Sequence, residues 1–80
     1  MSNRTKLFKQ IVERLNESGM FLNTHQGKHM RFRVYVTVLS TDGETLIKMV
    51  RSQLSDIIAD DRAVEIYITS NPLIVCVAIN

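Results

Sequence analysis

The stretch that most constrains the fold is Met30–Leu39, in which apolar and polar side chains alternate. The apolar side chains occupy the even positions: Met30, Phe32, Val34, Val36 and Val38. The polar side chains occupy odd positions: Arg31, Arg33, Tyr35 and Thr37. Because successive side chains of a strand point to opposite faces, this pattern predicts a β-strand with one buried side and one solvent-facing side.

Two amphipathic segments flank the predicted strand. Apolar residues at helical spacing predict a first helix over residues 4–17, with Gly19 suited to the left-handed position beyond its end. A second helix is predicted over about residues 44–59, because Thr41 and Glu44 match a capping box and an apolar stripe follows them. Each helix would bury one face against the sheet.

Three further segments complete a small sheet. Residues 20–23 form a short apolar run, and a glycine-containing loop joins them to the strand of Met30–Leu39, which predicts a hairpin. Residues 63–69 alternate again, and residues 73–79 are apolar on both sides. A strand–helix–strand link usually leaves its strands parallel, whereas tight hairpins are antiparallel. The sequence therefore predicts one α+β domain spanning residues 1–80, helix–strand–strand–helix–strand–strand, with a four-stranded mixed sheet and both helices on one face.

The last apolar run has two interpretations. If one side faces water, a second copy covers it in a symmetric homodimer. The predicted self-association residues are then Leu73, Val75, Val77 and Ile79. Alternatively the strand is central in the sheet, and the small side chains of Cys76 and Ala78 lie under a tyrosine. The first interpretation is the preferred one.

Charge is distributed unevenly along the chain. Residues 1–33 carry seven Lys and Arg against two Glu, whereas residues 34–80 carry three against six Asp and Glu. Such asymmetry can steer an anionic partner to the first half. The candidate binding residues are Lys6, Lys9, His25, Lys28, His29, Arg31, Arg33 and Tyr35.

No residue pattern predicts catalysis, a cofactor or a metal. The two histidines flank Gly27 in a loop, and a zinc site needs three or four ligands. Asp56, Asp60 and Asp61 gather near a helix end, where solvated carboxylates are common. Cys76 lies in an apolar run without a cationic neighbour, so we expect a buried and inert thiol.

The sequence thus predicts a small, non-catalytic interaction or regulatory protein that self-associates and binds a macromolecular partner. A protein is preferred to a nucleic acid as that partner. An inhibitor of a host protein, encoded by a virus or mobile element, would fit this description. The alternatives are a nucleic-acid-binding domain that contacts phosphates through the basic half, and a dimeric binder of a small anionic nucleotide. No apolar run approaches the roughly 20 residues that span a bilayer, so we predict a cytoplasmic protein without membrane contact.

Overall fold

The chain forms two helices and four strands in the predicted order. The computed structural model describes residues 3–28, 31–39, 41–58 and 64–80. The elements are α1 (Asn3–Glu17), β1 (Phe21–Gln26), β2 (Phe32–Thr37), α2 (Gly43–Ile58), β3 (Val64–Ile68) and β4 (Val75–Ile79). Both helices pack on one face of a four-stranded sheet, which confirms the predicted α+β class.

The sheet has the strand order β1-β2-β4-β3, and each neighbouring pair is antiparallel. The prediction of a mixed sheet is therefore corrected. β2 and β3 do run in the same direction, as their helical connection requires, but β4 lies between them and pairs with both. Moving β4 to the front of the chain would give the element order β-α-β-β-α-β of ferredoxin-like folds, a small architecture that serves many functions.

The core lies between the helices and one face of β2 and β4. Phe32, Val34 and Val36 stand opposite residues of β4 and, like them, have essentially no exposed surface. Phe8 of α1 stacks on Phe32 with the ring centroids 4.5 Å apart. The remaining core residues come from both helices and from Met20 after α1: Ile11, Leu15, Met20, Leu46, Val50 and Leu54.

The position of β4 changes the interpretation of its apolar side chains. Val75, Val77 and Ile79 are fully buried in the core of one chain, so they offer no surface to a second copy. Of the four predicted self-association residues, Leu73 is exposed and lies before the strand. The physical reason is topological, since a strand with neighbours on both sides and helices above it needs no partner to cover that face.

The start of α2 is held by Asp42 rather than by the predicted capping box of Thr41 and Glu44. The backbone N–H of Thr45 donates to Asp42 Oδ1 at 2.8 Å, and this hydrogen bond holds the pKa of Asp42 below its usual value. Gly43 follows, and its N–H donates to the Pro72 carbonyl oxygen at 2.8 Å. The turn before β4 is thereby fastened to the first residue of α2.

The end of α1 is closed by a left-handed residue, as predicted. Gly19 has φ +79°, its N–H donates to the Asn16 carbonyl, and the next N–H, from Met20, donates to the Leu15 carbonyl. This pair of hydrogen bonds is a Schellman motif, and Met20 is buried with Leu15 beneath it.

The Arg14 guanidinium of α1 connects the two helices. It donates to both carboxylate oxygens of Asp56, at 2.8 and 3.1 Å, and to the Gln53 carbonyl of α2. That hydrogen bonding to Arg14 lowers the pKa of Asp56.

Candidate binding surface on the open face of the sheet

Neither helix nor any other described element packs on the sheet face opposite the helices, and strand register fixes which residues share that face. One row across the sheet runs His25, Arg33, Ala78, Glu65 from β1 to β3. The adjacent row runs Asn23, Tyr35, Cys76, Tyr67. Small side chains on the central strand β4 thus lie between larger ones on both sides.

Cys76 and Ala78 are buried although they point to the open face. Cys76 is 0% exposed, with Tyr35 on one side and Tyr67 on the other. A hydrogen bond with the Cys76 thiol, together with partial burial, raises the pKa of Tyr67. Tyr35 and Tyr67 therefore cover Cys76 in the middle of the open face. This agrees with the alternative interpretation of β4 as a central strand.

A basic depression lies where β1 turns into β2. It has a volume of about 350 Å³ and is lined by His25, Gly27, Lys28, Arg31 and Arg33. The Arg33 guanidinium is held in place, since Nη1 donates to the Phe32 carbonyl at 2.9 Å and Nη2 donates to Asn80 Oδ1 at 3.0 Å. We call this depression the basic end.

An apolar groove lies at the opposite end of the same strands. It has a volume of about 570 Å³. Three of its lining side chains are exposed apolar ones: Phe21 at 59%, Leu39 at 78% and Leu73 at 56%. The groove is completed by Thr37, Val38, Thr41, Asp42, Asn71 and Ile74. We call it the apolar end.

A third depression lies between the two ends. It has a volume of about 340 Å³ and shares Phe21, Thr37 and Ile74 with the apolar end. Its remaining lining residues are Leu22, Asn23 and Tyr35. Asn23 and Tyr35 lie two residues along their strands from His25 and Arg33 of the basic end. These depressions form one surface along β1 and β2, which we call the open-face strip.

The predicted binding residues separate into two groups on opposite sides of the molecule. His25, Lys28, Arg31, Arg33 and Tyr35 belong to the open-face strip. Lys6 and Lys9 are exposed on α1, in the helix layer behind the sheet. His29 lies outside the described residues. The structure thus brings together five of the eight predicted residues.

The apolar end was missed at the sequence level, apart from Leu73. One signal was available, because Leu39 is an apolar residue at a position where the alternation of the organising strand requires a polar one. Phe21 belonged to a short run without clear periodicity, so only the observed register assigns it to the open face.

Three carboxylates lie near the end of α2 in the sequence: Asp56, Asp60 and Asp61. Asp56 is engaged by Arg14, which gives it a structural role between the helices. Asp60 and Asp61 lie outside the described residues. Within residues 3–28, 31–39, 41–58 and 64–80, no cluster of three His, Cys, Asp or Glu is placed to bind a metal ion. Over the same residues, no helix has the length and apolar character needed to cross a membrane.

Comparison of the chain with protein-family models, with curated proteins and with solved structures finds no match.

Proposed function

We propose that this protein is a small non-catalytic binding domain that contacts a macromolecular partner, in the first place a protein, through the open-face strip. The observation that carries the proposal is the combination of an apolar groove at one end of β1 and β2 with a basic depression at the other end of the same strands. Isolated exposed apolar side chains are normal on a protein surface, whereas a group of them rimmed by polar residues is typical of an interaction site.

The two ends contribute different things to binding. Phe21, Leu39 and Leu73 supply apolar area, which is the main source of affinity in protein interfaces. Lys28, Arg31 and Arg33 supply a positive potential that accelerates encounter with an acidic partner and fixes its orientation. A partner that is both apolar and acidic would use the whole strip.

The residue types of the strip also support the proposal of a binding role rather than a catalytic one. The strip consists mainly of aromatic, aliphatic, amide and cationic side chains. Asp42, the carboxylate that lines the apolar end, already accepts a hydrogen bond from the Thr45 N–H as the cap of α2. His25 is the strip residue of the type most often used as a general acid or base. The described residues that line the basic end with it are Gly27, Lys28, Arg31 and Arg33, and none of them is a carboxylate, serine or cysteine that could act with it as a catalytic pair.

The proposal is tested by capture of partners with matched surface variants. The strip variant combines Lys28→Ala, Arg31→Ala and Phe21→Ser. The control variant combines Lys6→Ala and Lys9→Ala, which removes the same number of cations from α1. We expect proteins retained by the native protein and by the control to be lost from the strip variant, as quantified by mass spectrometry.

Equal loss from both variants would indicate non-specific charge binding, and retention by the strip variant would contradict the proposal. Circular dichroism spectra of the variants establish that both remain folded.

Single-stranded nucleic acid is a second candidate, favoured by one specific observation. Tyr35 and Tyr67 stand in one row of the open face, with Arg33 in the next row. Aromatic side chains on an open sheet face can stack on bases while cations contact phosphates. This candidate predicts an affinity for single-stranded oligonucleotides that falls steeply with salt concentration, because bound counterions are released.

Self-association and a cytoplasmic regulatory or inhibitory role complete the proposal. With the core-facing side of β4 buried within one chain, a homodimer would have to use another surface. Sedimentation at micromolar concentration distinguishes a 9.2 kDa monomer from a species of twice that mass.

A further inference from the structure

β1 forms one edge of the sheet and carries little of the usual protection against pairing with another chain. Its six residues pair with β2 in an unbroken register without a bulge. It contains no Pro, Lys, Arg, Asp or Glu, and every residue except Leu22 is exposed. Natural edge strands are commonly protected by charges, prolines or bulges. The opposite edge, β3, carries Glu65 in its exposed row.

The backbone groups available at this edge follow from the hairpin. The Gly27 N–H donates to the Arg31 carbonyl at 2.8 Å. In an antiparallel pair, the residues that exchange hydrogen bonds alternate along the strand. The odd residues of β1 therefore bond to β2, and the N–H and C=O groups of Leu22, Thr24 and Gln26 point away from β2, toward the free edge.

We propose that β1 accepts an extended segment of a partner protein as a fifth, antiparallel strand, with an acidic side chain at the basic end and a bulky apolar side chain at the apolar end. The inference deepens the proposed function and rests on it, because it names the partner class for the open-face strip. Main-chain hydrogen bonds would supply affinity, and alternate side chains would supply specificity.

For an antiparallel segment, the geometry of β1 fixes the spacing and the order of the two side chains. His25 and Phe21 are four residues apart on the same face, which is about 13 Å along a strand. Their backbone groups would not form hydrogen bonds with the new strand. At such non-hydrogen-bonded pairs, the side chains of facing residues come closest. An antiparallel segment thus places its acidic residue beside His25 and, four residues later, its apolar residue beside Phe21.

The charges of the surrounding side chains favour this occupant over a second copy. Lys28, Arg31 and Arg33 line the basic end, and none of the described residues that line it is a carboxylate. Glu65 lies on the same face as Arg33 but two strands away, at the opposite edge of the sheet. A second copy pairing through its own β1 would bring no acidic side chain, so the basic end would be left without a counter-charge.

The test uses two end-blocked, fluorescently labelled peptides of identical composition. The forward peptide is Thr-Glu-Val-Thr-Val-Phe-Thr, and the reverse peptide is Thr-Phe-Val-Thr-Val-Glu-Thr. Fluorescence anisotropy against the full chain should give a dissociation constant for the forward peptide about tenfold lower than for the reverse one, a factor that corresponds to one good charge-assisted contact. Backbone NMR shifts on addition of the forward peptide should be concentrated in β1.

Substitutions at one edge position separate main-chain pairing from side-chain contacts. Thr24→Pro removes an N–H that points to the free edge and leaves the β1–β2 hydrogen bonds in place. It should abolish binding of the forward peptide, whereas Thr24→Val, which keeps the N–H, should retain it. NMR spectra of both variants verify the fold.

A charge exchange on the exposed Arg31 provides a test that does not depend on the proline variant. Arg31→Glu should weaken the affinity for the forward peptide about tenfold. The same variant should bind the forward peptide that carries Lys in place of Glu, since the contact is complementary in either polarity.

The possible results distinguish this inference from the proposed function. Equal affinity of the two peptides, undiminished binding to Thr24→Pro or indifference to Arg31→Glu would each overturn strand addition at β1. If captured partners were still lost from the strip variant in that case, the open-face strip would remain a binding surface of another kind. Salt-dependent binding of oligonucleotides, without discrimination between the peptides, would favour nucleic acid instead.

Discussion

Replacement of Gly43 by alanine is expected to destabilise the fold through the turn that precedes β4. A Cβ at this position would lie far inside the contact distance of the Pro72 carbonyl oxygen, and it would meet the Ile68 Cγ2 atom at 3.0 Å. The Pro72 carbonyl is backbone and accepts the Gly43 N–H, so it cannot turn aside as a flexible side chain would. The turn has to move away from the start of α2.

The size of the effect follows from opposing contributions. Inserting a methyl group into a filled site costs about 1–3 kcal/mol. Loss of the Gly43–Pro72 hydrogen bond adds about 1 kcal/mol, and the higher helix propensity of alanine offsets up to about 1 kcal/mol. We expect the free energy of unfolding to fall by about 2 kcal/mol, which corresponds to a decrease of about 8–16 °C in Tm for a domain of this size.

Urea denaturation followed by circular dichroism measures the loss, and Gly27→Ala is the matched control. A Cβ on Gly27 would lie 3.6 Å from the Arg31 carbonyl oxygen, an ordinary contact. The control should therefore change the free energy of unfolding by less than about 0.5 kcal/mol, as most surface substitutions do. Equal stability of the two variants would refute the close approach of Pro72 to α2.

Three further predictions concern the core and the charged groups. Phe32→Ala should lower the free energy of unfolding by about 3–5 kcal/mol, because it removes a buried ring stacked on Phe8, and urea denaturation measures the loss. Asp42→Ala should lower Tm more than Asp42→Asn, since only the latter retains an acceptor for the Thr45 N–H. The pKa values of Asp42 and Asp56 are lowered in the fold, so their stabilisation is present above the unfolded value of about 3.9 and is lost as pH falls through the folded values. Urea midpoints measured from pH 5 downward should therefore decrease, and the double variant Asp42→Asn with Asp56→Asn should show a smaller decrease.

The basic end of the binding surface was predictable because its residues are close in the sequence. His25, Lys28, Arg31 and Arg33 belong to one hairpin, and a short loop keeps such residues together in any register. The apolar end was not predictable in the same way. Phe21 and Leu73 are far apart along the chain, and they meet only because β1 and the turn before β4 lie at the same end of the sheet.

The alternation of Met30–Leu39 and the two helical stripes determined the elements, their order and the side of each that is buried. These properties are local, because the period of apolar residues along a segment sets which face can be removed from water. The observed core confirms this for β2, whose even residues are buried.

The tertiary structure alone decided the neighbours of β4. Local periodicity carries no information on which strands pair, and an apolar strand can be covered either by a second copy or by its own chain. Insertion of β4 between β2 and β3 satisfies its backbone on both edges and covers both its faces, with the helices on one side and the tyrosines on the other. Because of this placement every neighbouring pair of strands is antiparallel, and β4 has no free edge for a partner. The free edge of β1 is where we propose that a partner binds.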